Sequence, residues 1–142
     1  MPREHIPVAI QRIVVDRAWG RCEYCQSRAD HSTESFAVEH IIALSRGGNS
    51  ELGNLAFSCS GCNGHKYNKI AAPDPTDGQI VPLYNPRTQK WHAHFYWSED
   101  YTQVIGLTPT GRATVEALKL NRPGLINMRE VLYLAGKHPP VK

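Results

Sequence analysis

No stretch of the chain approaches the roughly 18 consecutive apolar residues that a membrane span requires. The opening run MPREHIPVAIQRIVV is interrupted by charges and lacks the hydrophobic core of a signal peptide. A cytoplasmic protein with no membrane partner is the expectation. Charge of one sign is also scarce: the net charge is +3. Divided after Ile70, the chain carries eight basic and seven acidic residues, then eight and six. Neither part is a basic tail, so a surface for nucleic acid has to come from folding rather than composition. Internal repeats and low-complexity segments are absent. At 142 residues the chain has the length of one domain able to bury a real core.

Cysteine is sparse and its placement is telling. The four cysteines form two CxxC pairs, Cys22/Cys25 and Cys59/Cys62. Disulfides are disfavoured in a reducing cytoplasm. Two such knuckles are the usual way to assemble a tetrahedral zinc site with four thiolate ligands. A redox CxxC would follow a strand within a βαβ unit, and no such context is visible. Four protein ligands leave no open position, so the expected zinc is structural.

The apolar spacing predicts a helix over residues 8–19 with Ile10, Ile13 and Val14 on one face, stopped by Gly20. SRADHSTES reads as a polar loop, SFAVEHIIAL as a strand, SRGGNSELG as a loop and NLAFSC as a second strand. SGCNGHKYNKI reads as a helix that carries the second knuckle at its start. AAPDPTDG, residues 71–78, is the clearest linker or loop. KWHAHFYW alternates, with Trp91, Ala93, Phe95 and Trp97 on one face, and predicts a hairpin with TQVIGL as its return strand. Thr108 as N-cap and Pro109 at the first position open a helix to about Leu120. Pro123 begins another, with Leu125, Met128, Leu132 and Ala135 at helical spacing and Gly136 as its stop.

The run AVEHIIALSRGG, residues 37–48, sets Glu39 and His40 side by side in an otherwise apolar stretch. Neighbours on a strand point to opposite faces, so one of them faces the core side. That is costly for a charge unless it is paired or bound to a metal. Candidate partners follow in order: Asn54 before the second strand, then Asn63 and Lys66 on the next helix. At 100° per residue, Lys66 lies within about 60° of Asn63 and Tyr67 within about 40°, whereas His65 is about 200° away. The spacing thus favours Asn63 over His65 as the functional residue.

With CEYC, EHIIALSRGG, GNL and CSGCNGHK in that order, the stretch from Cys22 to Lys66 resembles the HNH, or ββα-metal, nucleases, in the branch framed by two CxxC pairs. The resemblance implies that Glu39 and Asn63 bind one catalytic divalent ion. It implies that His40 is the general base and that Asn54 holds the loop and imidazole of that histidine in place. Hard oxygen ligands suit Mg²⁺ or Mn²⁺, and an imidazole can accept a proton from water at neutral pH. The implied reaction is hydrolysis of a DNA phosphodiester, leaving a 5′-phosphate and a 3′-hydroxyl. Double-stranded DNA is the implied partner, because the short helix and strands of such nucleases dock in or across the minor groove. Three positions depart from the common pattern. Glu39 stands where aspartate or histidine is more familiar, Asn63 replaces a histidine, and Ala43 sits where proline is frequent.

Arg46, Lys66 and His65 are candidates for phosphate or DNA contact. His92 and His94 form an HxH pair that exposed hairpin positions explain more simply than a metal. Trp91, Phe95 and Trp97 read as a core face, and Arg112, Lys119, Arg122 and Arg129 as solvated helix faces. The expected fold is α+β: a zinc-stapled ββα-metal module over residues 1–71, and a hairpin with two helices over 72–142 packed into the same domain. The expected function is a metal-dependent DNA endonuclease. The competing readings are a non-catalytic, zinc-stapled nucleic-acid-binding module and a zinc-framed protein-interaction domain, neither of which needs the Glu-His, Asn, Asn set. One such site cuts one strand, so nicking is expected from a monomer, and a double-strand break from a homodimer or two encounters.

Overall fold

In a computed structural model describing residues 5–140, the chain opens with helix α1 (Val8–Arg17). Val14 is buried and Ile10 packs beside it, while Ile13, expected on the same face, is exposed. Ile10 and Val14 lie about 40° apart in helical projection, whereas Ile13 is about 100° round from Val14 and off the buried stripe. Trp19 and Gly20, with φ of 57° and 68°, turn the chain out of the helix.

Strands β1 (Phe36–His40) and β2 (Leu55–Cys59) pair antiparallel, Val38 opposite Phe57 and His40 opposite Leu55. Val38, Leu55 and Phe57 pack with Val14 and Ile6 in one buried cluster. β1 stops short of the strand expected to reach Leu44, and Asn54 is the reason. Its carbonyl accepts from the Ile41 N–H at 2.8 Å and its side-chain Oδ1 accepts from the Ile42 N–H at 2.8 Å. The ladder is thereby replaced by a side chain, and the loop that follows carries two 3-10 turns, Leu44–Arg46 and Leu52–Asn54. β2 runs directly into helix α2 (Ser60–Lys66), completing a ββα unit. α2 ends before the expected Ile70, because Tyr67 leaves helical space at φ 52°, ψ −121°.

The segment 71–78, expected as a linker or loop, is one strand and the turn of a hairpin. β3 (Ala71–Pro73) pairs with β4 (Ile80–Pro82), and Asp74 is 1% exposed between them. Asp74 accepts from the Thr76 N–H and hydroxyl and receives both Arg112 Nε and Nη2, at 3.1 and 2.9 Å. Its Pro, Asp and Gly content therefore encodes a tight turn. Residues 90–97 also differ from expectation: one helical turn, α3 (Trp91–His94), precedes β5 (Phe95–Trp97), which pairs with β6 (Val104–Gly106). Trp91 and Phe95 share a side at either period, helical or alternating. Both rings are buried, with Trp91 Nε1 donating to the Tyr24 carbonyl at 2.9 Å, whereas Ala93, which alternation would place on the same face, is exposed, as a helical turn requires.

Helix α4 (Pro109–Ala117) starts as the sequence predicts, with Thr108 Oγ1 accepting from the Gly111 N–H at 3.0 Å. Helix α5 (Pro123–Leu134) buries Leu125 and Leu132 and is followed by Gly136 at φ 74°. A single buried cluster joins the four cysteines to Trp91, Phe95, Leu118 and Leu125, and so spans the boundary placed at 71–72. The outermost ends of the two expected regions, 1–4 and 141–142, lie outside the described residues. The fold is mixed α+β, and among the described residues no helix is long and apolar enough to cross a membrane.

The Arg112 guanidinium, with the Thr76 N–H, holds the Asp74 carboxyl below the usual carboxylate range. A depressed folded value stabilises above the unfolded one and is lost as pH falls. Asp74→Asn is expected to unfold at lower denaturant than wild type at neutral pH. The gap should narrow below about pH 4, as read from denaturant midpoints across a pH series.

Candidate functional site

Cys22 and Cys25 lie on the turn after α1, Cys59 ends β2 and Cys62 lies in the first turn of α2. All four are buried and their sulfurs lie within 4.8 Å of one another. Cys25 and Cys59 Sγ are 3.7 Å apart. Zinc–sulfur bonds of about 2.3 Å in a tetrahedron set sulfur–sulfur edges of about 3.8 Å, so this donor set fits a zinc ion with four thiolates.

The surroundings answer the charge that four thiolates would carry. Arg122, expected on a solvated helix face, is half-buried, with Nη2 3.3 Å from Cys59 Sγ and Nη1 3.6 Å from Cys62 Sγ. Burial opposes its charge, but the neighbouring Cys62 and Cys59 sulfurs outweigh this and hold its pKa above the ordinary guanidinium value. Glu34 pairs with Arg122 at 3.2 Å and accepts from the Gly61 N–H at 2.7 Å. A Cβ at Gly61 would meet the ends of the Arg122 and Glu34 side chains, 2.7 Å from Glu34 Oε1, so a larger residue here would displace this pair. Arg129, also expected on a solvated face, is 4% exposed and donates to the carbonyls of Leu120 and Thr102 at 2.7 and 2.9 Å. Arg112 is committed to Asp74.

At the end of β1, alternation sends Glu39 and His40 to different partners. Glu39 meets α2, where Asn63 Nδ2 donates to Glu39 Oε2 at 2.8 Å. Turning the Asn63 amide over would bring its oxygen beside the carboxylate, since the two amide orientations are interchangeable by shape. That offers two oxygen donors of the kind a hard divalent ion takes. His40 Nε2 lies 2.8 Å from Ser50 Oγ. Asn54, 8% exposed, accepts from the Ile42 N–H and donates to the carbonyls of Ile42 and Asn49 at 2.9 and 2.7 Å. Its side chain thus holds the loop, while the hydrogen bond to the imidazole comes from the Ser50 side chain. Gly48 fits against this arrangement: a Cβ there would collide with the Ile42 carbonyl and stand 2.8 Å from Asn54 Nδ2. Gly48 thus makes its close approach to its own chain.

The three candidate DNA contacts separate. Lys66 is 4% exposed and its Nζ donates to the Ile41 carbonyl at 2.5 Å, and burial pushes its ammonium down to about 8. It anchors α2 to the end of β1 and is not presented to a phosphate, contrary to expectation. Arg46 is exposed and its Nε donates to the Asn68 carbonyl at 2.6 Å. His65 is exposed on α2. Of the HxH pair, His94 Nδ1 lies 2.6 Å from Thr108 Oγ1 and His92 is exposed with its ring edge-on to Trp91. Among the described residues, the four cysteines are the group of His, Cys, Asp or Glu side chains that converge as metal ligands.

Ser50, Glu34 and Arg122 are the site residues that sequence reasoning missed. Ser50 carries no signal beyond membership of a polar loop, and Arg122 arrives from 60 residues beyond Cys62. Outer partners of a metal site commonly tune affinity by about 10–100-fold. Arg122→Gln is expected to release zinc to a chromogenic chelator faster than wild type while keeping the same far-ultraviolet circular dichroism. Unchanged release would contradict the role given to this guanidinium.

Residues 22–69, about a third of the chain, match the family model described as HNH endonuclease. No curated protein and no solved structure matches the chain. The matched segment contains both CxxC pairs together with Glu39, His40, Ser50, Asn54 and Asn63, so the similarity to HNH endonucleases lies in residues 22–69 and takes in the whole proposed site.

Proposed function

We propose that the protein is a divalent-metal-dependent DNA endonuclease that hydrolyses one phosphodiester per encounter, leaving a 5′-phosphate and a 3′-hydroxyl. The observation that carries this reading is the meeting of Glu39 and Asn63 at 2.8 Å, one residue from the His40 imidazole at the end of the same strand. Glu39 and Asn63 would hold Mg²⁺ or Mn²⁺, with water and substrate filling the remaining positions. When bound, the ion supplies positive charge for the phosphoryl oxygens and the leaving 3′-oxygen.

The protein's own residues provide the rest. His40 takes a proton from the attacking water, and Ser50 Oγ, 2.8 Å from Nε2, orients the ring. Asn54 fixes the loop from Ile42 to Asn49 through three hydrogen bonds, so the imidazole is carried on a rigid support. The thiolate site is closed by four protein ligands and holds the hairpin, α2 and the C-terminal helices in one arrangement. Residues 72–140 act with the module as one unit in this reading, since their apolar side chains share its buried cluster. Double-stranded DNA is the proposed substrate and a nick the proposed product.

Supercoiled plasmid tests the reading directly. With added Mg²⁺ or Mn²⁺, wild type is expected to give open circles, and His40→Ala to be slower by at least about 100-fold. Ser50→Ala should fall between the two, with zinc content equal in all three proteins. Equal rates in wild type and His40→Ala would overturn the assignment of the base. Binding without cleavage by wild type would favour the non-catalytic module instead.

A further inference from the structure

Tyr67 stands in a backbone conformation that its side chain does not favour. Its φ of 52° and ψ of −121° are those of the first central position of a type II′ turn, and the Lys69 N–H closes that turn on the Lys66 carbonyl at 3.0 Å. Glycine dominates this position, because any Cβ is crowded there. Buried packing does not explain the choice: the Tyr67 side chain is among the most exposed large apolar groups in the protein, at 75%. A residue that costs the fold stability and leaves its ring in water is what a binding surface, rather than a core, selects.

The location is specific. The Tyr67 N–H donates to the Asn63 carbonyl at 2.8 Å, so the turn is continuous with the helix that carries Asn63. The next carbonyl, of Asn68, receives Arg46 Nε at 2.6 Å, tying the turn to the loop that Asn54 holds. Tyr67 therefore lies four residues beyond Asn63 on one segment, and that segment is tied by Arg46 to the loop that follows Glu39 and His40. Those segments, residues 41–50 and 60–73, contain no aspartate or glutamate. They expose Arg46, His65 and Lys69, and Ile42 is 40% exposed beside them. Two exposed cations, Arg46 bonded to the turn and Lys69 closing it, suit a polyanion that carries flat, apolar faces.

We propose that Tyr67 is a substrate-contacting residue whose ring stacks on a nucleobase of the DNA beside the scissile phosphate, with Arg46 and Lys69 facing the flanking phosphates. This rests on the nuclease reading above, and it adds a base contact to a site otherwise described by phosphate chemistry. In a duplex the base faces are covered by their neighbours, so the ring enters as a wedge that partly unstacks one base step, a cost offset by the contacts the opened step permits. The turn fixes the backbone from which the ring projects, so little backbone freedom is lost on binding.

The test uses full-length, zinc-loaded wild type, Tyr67→Gly and Tyr67→Phe. Thermal midpoints are measured beside the affinity for a fluorescently labelled DNA duplex, without added Mg²⁺ or Mn²⁺ so that binding is read apart from cutting. Tyr67→Gly is expected to keep or raise the midpoint while weakening DNA binding at least about fivefold. Tyr67→Phe is expected to bind as wild type does. Unchanged binding by Tyr67→Gly would overturn the proposal, as would a fall in midpoint that accompanies the lost affinity. Loss in Tyr67→Phe equal to that in Tyr67→Gly would overturn stacking in favour of the hydroxyl. DNA binding by a wild type that never cuts would refute the nuclease reading and leave the Tyr67 contact still measurable; no DNA binding by wild type would refute both.

Discussion

Four thiols held within 4.8 Å of one another are the constraint from which the rest of the structure follows. The sulfurs come from the turn after α1, the end of β2 and the first turn of α2, so a tetrahedral arrangement fixes three elements at once. It also sets the direction in which α2 leaves the hairpin, and with it the meeting of Asn63 with Glu39. Charge concentrated in a buried place has to be answered. Arg122 is brought to the Cys59 and Cys62 sulfurs, Glu34 balances Arg122, and Gly61 leaves room for both. The C-terminal helices are thereby tied to the metal-ligand cluster by electrostatics as well as by apolar packing.

A second constraint acts at the end of β1. Alternation along a strand separates Glu39 from His40, so one residue serves α2 and the other the loop. Asn54 makes this possible by replacing the ladder with its own side chain just where the strand must stop. Gly48 approaches the Ile42 carbonyl and the Asn54 amide so closely that no other residue fits. Lys66 adds a buried donor to the neighbouring Ile41 carbonyl, at a cost in desolvation that shows as its lowered pKa. The proposed catalytic groups are therefore mounted on a loop whose backbone is tightly specified.

Short-range signals were legible in the sequence, and long-range ones were not. The CxxC spacing, the Thr108-Pro109 cap, the Gly136 stop and the order strand, loop, strand, helix each depend on residues close in the chain. Trp91 to Trp97 was ambiguous because residues four apart fall on one side in both a helix and a strand. The Pro- and Asp-rich segment 71–78 reads as a linker or loop, and its pairing as a hairpin is hidden because the Asp74 partner, Arg112, lies far along the chain. Lys66 and Arg122 were misplaced for the same reason. A lysine on a helix or an arginine before one looks solvated until tertiary structure supplies a carbonyl or a pair of sulfurs. Asn54 and Asn63 were legible through a family pattern, whereas Ser50, which belongs to no such pattern, was not.

The central claim is that the oxygen donors of Glu39 and Asn63 form a divalent-ion site separate from the four-cysteine cluster. Electron paramagnetic resonance of Mn²⁺ added to zinc-loaded protein tests this without any cleavage assay. Wild type is expected to bind one Mn²⁺, and Glu39→Ala and Asn63→Ala to lose that binding while keeping their zinc and their circular dichroism. Equal Mn²⁺ binding in Glu39→Ala and wild type, both with intact zinc content, would contradict the account.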